Sequence, residues 1–378
     1  MGPLSGYRII EMAGIGPGPL SGMLFADMGA EVILVDRTSH NPASLPRESD
    51  ICFRGRRSIA VDLKSDEGRE VVLKLVESAD AIIEGFRPGV MEKLGLGPDV
   101  CLARNPKLVY GRITGWGQTG PLAKAAGHDL NYIALTGALH GVGRKDEPPV
   151  PPLNLIGDYG GGAMFLAFGV VSGLLEAQRS GKGQVIDAAM VDGSSLLMSI
   201  FHSLKATGAW HAERDSNILD GGHHYYGCYE TEDGKYVSLG AIEPQFYAEF
   251  LRLTGLDPEE FHAQTDRKSQ VRLRARLVQL FKTRTQQEWC ELLEGTDACF
   301  APVIPFWEAH NHSHNQARQN HIELNGLIQP APAPRFSRTV PEVSHAAPAL
   351  GADTDAVLAM CGFSAADISR LRGSGVVV

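Results

Sequence analysis

From residue 7 to residue 114 the chain alternates short apolar runs with stretches whose apolar residues recur at helical spacing. That alternation is the pattern of βα units and predicts the α/β class, a mostly parallel sheet with helices on its faces. Strands are expected at residues 7–12, 31–35, 58–63, 80–84 and 108–114, with helices at 20–28, after Ser65 and after Pro88. Ser65 suits an N-cap, Val71, Val72, Leu75 and Val76 share one helical face, and Pro88 suits a first helical turn. A strand at 185–190, preceded by an apolar helix at 159–175 and followed by a helix at 194–204, completes a doubly wound, Rossmann-like sheet. The apolar heart of that first helix, residues 163–175, is shorter than the ~20 residues of a membrane span, which predicts a buried helix.

The pattern changes after Gly222. Runs at 225–230 and 236–239 flank Asp233-Gly234, a strong hairpin signal, and helices are expected at 245–254, 271–282 and 286–293. A chain of 378 residues exceeds one ordinary core. The expected organisation is a large Rossmann-like domain at 1–204, a linker at 205–224, a smaller α+β domain at 225–308, a return linker at 309–335 and a C-terminal segment at 336–378 that rejoins the large domain. Pro330, Pro332 and Pro334 keep the return linker extended, and short helices at 354–361 and 364–371 close the chain.

Charge narrows the function classes. A formal net charge of −9 argues against nucleic-acid binding, which needs a basic surface. No charged start leads into an apolar export segment, and the six cysteines form no Cys-x-x-Cys pair, so reduced thiols in the cytoplasm are expected. Against this acidic background Arg37 and Arg54-Gly-Arg-Arg57 stand out, as either a small-anion site or a solvated loop.

Some motifs mislead. Gly14-Ile-Gly16-Pro-Gly18-Pro19 follows the first strand and imitates a dinucleotide fingerprint, but the third glycine falls on Pro19 or Ser21. Pro17 and Pro19 also lack the N–H donors a pyrophosphate needs, which leaves these glycines to a tight turn. Gly-x-Ser-x-Gly and P-loop patterns are absent from the sequence. His310, His312 and His314 alternate in a polar run without the cysteine or carboxylate company of zinc sites, so no metal is expected.

His128 lies between Gly127 and Asp129 after a Gly/Pro-rich loop, and Asp158 follows Gly157 at the start of the apolar helix. Both fall on βα-type connections, where ligands sit in such folds. Each also has a plain explanation, a structural histidine and a helix-capping carboxylate. Asn154, four residues before Asp158, either orients that carboxylate or makes an Asx turn. Glu243, ahead of Pro244, either faces a helix dipole or reaches a histidine.

These residues sit in a longer ordered set: Ala13-Gly-Ile-Gly-Pro-Gly-Pro19, Val61-Asp-Leu-Lys64, Glu84-Gly-Phe-Arg-Pro-Gly89, Thr114-Gly-Trp-Gly-Gln-Thr-Gly-Pro121, Gly127-His-Asp-Leu-Asn-Tyr132, Pro152-Leu-Asn-Leu-Ile-Gly-Asp158 and Gly240-Ala-Ile-Glu-Pro-Gln-Phe246. In them the chain resembles the class III CoA-transferase superfamily, and within it the racemase group, over almost its whole length. The resemblance implies an interlocked homodimer of chains with a Rossmann-like large domain and a small domain. It implies epimerisation of 2-methylacyl-CoA through an enolate, with His128 and Asp158 as the two acid/base groups, Asn154 supporting Asp158, and Glu243 serving an active site whose His128 belongs to the other chain. By family position Arg37, Val61, Asp62, Leu63, Lys64, Gly85, Phe86, Arg87 and Lys93 line the nucleotide and pantetheine path. Gly127, Asp129, Leu130, Asn131 and Tyr132 meet the thioester, and Arg54 or Arg57 touches phosphate. No cofactor is implied, because coenzyme A is part of the substrate; nor is a membrane partner. The alternative within the superfamily is a CoA-transferase that forms an acyl anhydride on Asp158; His128 discriminates, because transferases generally lack it. The residues leave open whether the acyl group is branched fatty, bile-acid-like or 2-arylpropionyl.

Overall fold

Strands β1 (Arg8–Met12), β2 (Glu31–Asp36), β3 (Arg56–Ala60), β4 (Ala81–Glu84), β5 (Val109–Thr114) and β6 (Gln184–Ala189) form one parallel sheet in the order β3-β2-β1-β4-β5-β6. The computed structural model that shows this describes residues 2–39 and 46–378. Side chains alternate across the sheet, so Ile9 and Val32 enter one apolar cluster while Ile10 and Ile33 enter the other. Helix α1 (Pro17–Asp27) joins β1 to β2, and α2 (Asp66–Val76) follows β3, capped by Ser65 Oγ accepting the Gly68 N–H at 2.9 Å. The β4 to β5 connection holds α3 (Val90–Lys93) and α4 (Pro98–Arg104). The long β5 to β6 connection carries α5 (Asp129–Leu135), a π-helix (Leu155–Ala163) and α6 (Met164–Ser180).

Several elements depart from the sequence reading. Helix α1 begins at Pro17 rather than 20, because prolines fit a first turn that lacks N–H partners anyway. Strand β3 starts two residues earlier than expected: Arg56 pairs with Val32 in the ladder, and its charge is met inside the protein. The apolar helix is longer than its apolar heart, and the π-helix with α6 forms a 26-residue stretch, Leu155–Ser180, long and apolar enough by length and composition to cross a membrane. The helix is buried on one face only. Met164, Phe168 and Leu175 are exposed, while Leu166, Val170 and Leu174 pack on the sheet.

The chain divides into two compact units, the first of Met1–Ala138, Pro152–Ser199 and Arg318–Val378, the second of Leu139–Pro151 and Ile200–Ala317. After β6 come α7 (Met190–Leu197) and α8 (Ser199–Ala206). In the second unit β7 (Tyr226–Glu230), β8 (Tyr236–Gly240) and β9 (Phe300–Val303) form an antiparallel sheet, with Gly234 at a φ of 74° in the β7–β8 turn. Helices α9 (Pro244–Thr254), α10 (Pro258–Phe261), α11 (Gln270–Phe281) and α12 (Gln286–Leu293) cover it, and Tyr225, Phe250, Leu273, Phe281 and Trp289 fill its core. The stretch expected as an extended return linker holds α13 (Ser313–Arg318) and a hairpin of β10 (His321–Leu324) and β11 (Leu327–Pro330), whose ladder ends where Pro330 begins the proline run. Helices α14 (Thr354–Met360) and α15 (Ala365–Gly373) return Val357, Leu358 and Leu371 to the core beside α2.

Candidate active site

In a parallel sheet every strand ends on the same edge, and loops leaving that edge are where α/β folds bind ligands. Gly16 follows β1, Arg37 follows β2, residues 61–64 follow β3, residues 85–87 follow β4 and residues 127–132 lie beyond β5. Segments far apart in sequence are therefore gathered on one edge by topology alone.

The loop after β5 is held by an aromatic clamp. Tyr132 stands edge-on to Trp116, with ring centroids 4.8 Å apart, and its hydroxyl donates to the Gly127 carbonyl. A Cβ on Gly127 would lie 2.8 Å from the Tyr132 ring, so the glycine lets the loop turn tightly against it. His128 is thereby placed as N-cap of α5, its backbone N–H donating to Asn131 Oδ1 at 3.0 Å, with its side chain exposed.

Asp158 sits in the π-helix, whose wider turn is marked by the Tyr159 N–H reaching back to the Asn154 carbonyl at 3.3 Å. The helix lies tight on α7 because both surfaces are glycine: a Cβ on Gly193 would be 1.9 Å from the Gly161 carbonyl oxygen. Three contacts fix Asp158. Its N–H donates to Asp129 Oδ1 at 2.7 Å, Asn154 Nδ2 donates to its Oδ2 at 3.2 Å, and Gly16, at a φ of 68°, lets the β1 loop approach that same oxygen. Burial pushes the Asp158 carboxyl above its ordinary value; the Asn154 bond draws it back, the Asp129 charge raises it further, and His128 lowers it. The Asp129 side chain thus ties the Asp158 backbone to the segment that begins with His128.

The remaining sequence candidates take varied positions. Asp62 Oδ1 accepts the Lys64 N–H at 3.0 Å, Val61 bridges to Val377, and the Phe86 N–H donates to Glu84 Oε2 at 2.7 Å. Arg37, Lys64, Arg87, Lys93, Leu130 and Asn131 are exposed, and the charge of Arg87 is felt at Tyr132. Arg54 is corrected: it is 1% exposed, paired with Asp27 at 2.6 Å and donating to Gln329 and Pro330, so it is neither a solvated residue nor a phosphate ligand. Arg56 is likewise consumed by Glu11, while Arg57 stays partly exposed beside Glu31. Glu243 occupies the N-cap position of α9 in the second unit, without a capping bond from its side chain, and His312 pairs there with Glu294 at 2.9 Å. Sequence reading missed the side chain of Asp129, which accepts the Asp158 N–H, and also Tyr159, which lies beside Asn154 and Cys52. Nothing local in sequence marks these, since the contacts join separate loops.

Residues 4–354 match the model of CoA-transferase family III. The chain belongs to that family. Relatives in the family include the α-methylacyl-CoA racemase of Mus musculus, 44% identical over 99% of this chain and 97% of that protein. The α-methylacyl-CoA racemase of Homo sapiens is 39% identical over the same shares. Among solved structures, a CaiB/BaiF family protein from Brucella suis is 27% identical with a TM-score of 0.80, covering 95% of this chain and 99% of that one. The family fold therefore spans both compact units.

Proposed function

We propose that this protein epimerises 2-methylacyl-CoA thioesters. The observation that carries the reading is His128 at the N-terminus of α5 and Asp158 in the π-helix, whose segments are tied by the bond from the Asp158 N–H to Asp129. Family membership and the two racemase relatives support the acyl-CoA substrate.

Inversion at Cα breaks the Cα–H bond on one face and forms a new one on the other. One of the pair takes the α-proton, the electron pair moves into the thioester to give a planar enolate, and the other donates its proton to the opposite face. In the reverse direction the roles exchange, so each group must serve in both protonation states. The Asp129 N–H, first in α5, is the donor assigned to the enolate oxygen, where preorganised dipoles act on developing charge. Arg37, Lys64, Arg87 and Lys93 supply positive charge along the same sheet edge for the nucleotide phosphates. The exposed apolar residues Met164, Phe168, Leu175, Leu196 and Leu197 support assembly as a homodimer, in which the family resemblance assigns Glu243 to the other chain's site.

The test is incubation of one 2-methylacyl-CoA epimer in deuterated buffer without a second acid. α-Deuterium uptake with inversion, reduced about 10²–10⁴-fold in both His128→Ala and Asp158→Asn, is expected. No exchange, but CoA transfer to an added carboxylate that needs Asp158 alone, would overturn it in favour of a transferase working through an acyl anhydride.

A further inference from the structure

Asp129 is 6% exposed, its Oδ1 accepts the Asp158 N–H at 2.7 Å, and its Oδ2 is buried with no hydrogen-bond partner among the described residues. A buried carboxylate normally has both oxygens satisfied. Here one oxygen anchors the backbone of the reacting residue and the other is buried without a partner. Gly157 is what permits this approach, since a Cβ there would lie 2.5 Å from Asp129 Oδ1.

We infer that the Asp129 side chain is a positioning residue for Asp158, fixing its place in the first turn of the π-helix and setting a second, buried carboxyl group next to it. The inference rests on the two-base reading and adds a role distinct from that of the Asp129 N–H. The chemical reason is matching. A carboxylic acid and an imidazole ordinarily titrate about 2.5 units apart, and each unit of mismatch biases the proton about tenfold toward one partner. A proton that must cross in either direction is served best when the two affinities approach each other.

The groups acting on Asp158 are few. Asp129 and His128 come from the α5 loop, Tyr132 from α5, and Asn154 and Tyr159 from its own segment. Helices α1 and α7 meet the π-helix through Gly16, Ser194 and Met190. On β5, Arg112 is engaged by Glu84 and Glu92, and on β6, Asp187 accepts the Gln118 N–H. Asp129 is therefore the acidic neighbour whose replacement isolates the effect.

Two variants separate charge from anchoring. Asp129→Asn keeps an oxygen for the Asp158 N–H but loses the charge, whereas Asp129→Ala loses both. For Asp129→Asn the acidic limb of kcat/KM for epimerisation should move down by about half to one pH unit, equally in both directions because the equilibrium constant ties them. Asp129→Ala should in addition lose about 10–100-fold in kcat, with KM changed by less than about threefold. The same shift should appear without turnover, as a lowered midpoint for the Asp158 carboxyl carbon in ¹³C-aspartate-labelled protein, assigned with Asp158→Asn. An unmoved midpoint in Asp129→Asn, or a variant altered in KM alone, would overturn the inference. A wild type that shows no α-exchange while the carboxyl midpoint still moves would sink the two-base reading and leave the positioning role standing.

Discussion

Gly157 stands so close to Asp129 that a methyl group on it would lie 2.5 Å from the carboxylate Oδ1 and 3.2 Å from Ile133 Cγ2. Neither neighbour can retreat easily, because Asp129 is buried and Ile133 is fully enclosed. Gly157→Ala should displace the Asp158 backbone and lower kcat by about 10²-fold, the scale of a misplacement near 1 Å. Deuterium wash-in checks the rate, and thermal unfolding checks that the fold persists. Full turnover in this variant would mean that the loop relaxes without cost.

The Asn154 amide acts on Asp158 with the opposite sign to Asp129. Its N–H favours the carboxylate, so Asn154→Ala should raise the proton affinity of Asp158 and move the acidic limb of kcat/KM upward by up to about one unit. A pH profile from 4.5 to 9 is the measurement; a limb that moves down, or stays, contradicts this assignment.

His224 should give the second unit a pH-dependent stability. It is fully enclosed, with Nδ1 facing Gln270 Oε1 and Nε2 facing the Tyr247 hydroxyl, each at 2.7 Å. Burial pushes it down to about 4, partly offset by the Gln270 bond. The unfolded chain takes up this proton near pH 6.5, before the folded one, so the stabilisation is complete above that pH and is lost as pH falls to about 4. Urea unfolding should show the wild type losing about 3 kcal/mol more than His224→Gln between pH 7 and pH 4. Parallel losses in the two proteins would exclude this origin.

Arg56 and Glu11 form an ion pair at 2.6 Å with side chains 0% and 1% exposed. Removing one partner strands a buried charge, so Arg56→Met should cost about 3–5 kcal/mol, and Glu11→Gln in the same chain should restore part of it. Burial already raises the Glu11 carboxyl, so the single variant should be less destabilised at low pH, where Glu11 is neutral. Denaturant titration of the double-mutant cycle tests both statements.

Phe168 is 73% exposed on α6, and Leu175 is 58% exposed one face-turn on. If the protein assembles through this face as the proposed homodimer, Phe168→Asp should lower the mass read by light scattering. An unchanged mass would count against assembly through α6.

The parallel sheet was legible because strand and helix periodicities are local and strong, and Asp233-Gly234 announced its hairpin for the same reason. Helix α4 and the β10–β11 hairpin were not, since each is short and owes its existence to what it packs against. The arginines of 54–57 show the limit sharply: by sequence they suggest a ligand, yet Arg54 and Arg56 spend their charges on Asp27 and Glu11 from other elements.

By itself the sequence determined the class of fold, the order of its strands along the chain and the candidacy of His128 and Asp158, all of which rest on spacing between near neighbours and on ordered motifs. Only the tertiary structure decided that the Asp158 N–H is held by Asp129, that Tyr159 and Cys52 stand behind Asn154, and that Gly16 reaches the Asp158 carboxylate. Those contacts join loops leaving different strands, and it is the common direction of parallel strands that brings the loops to one edge.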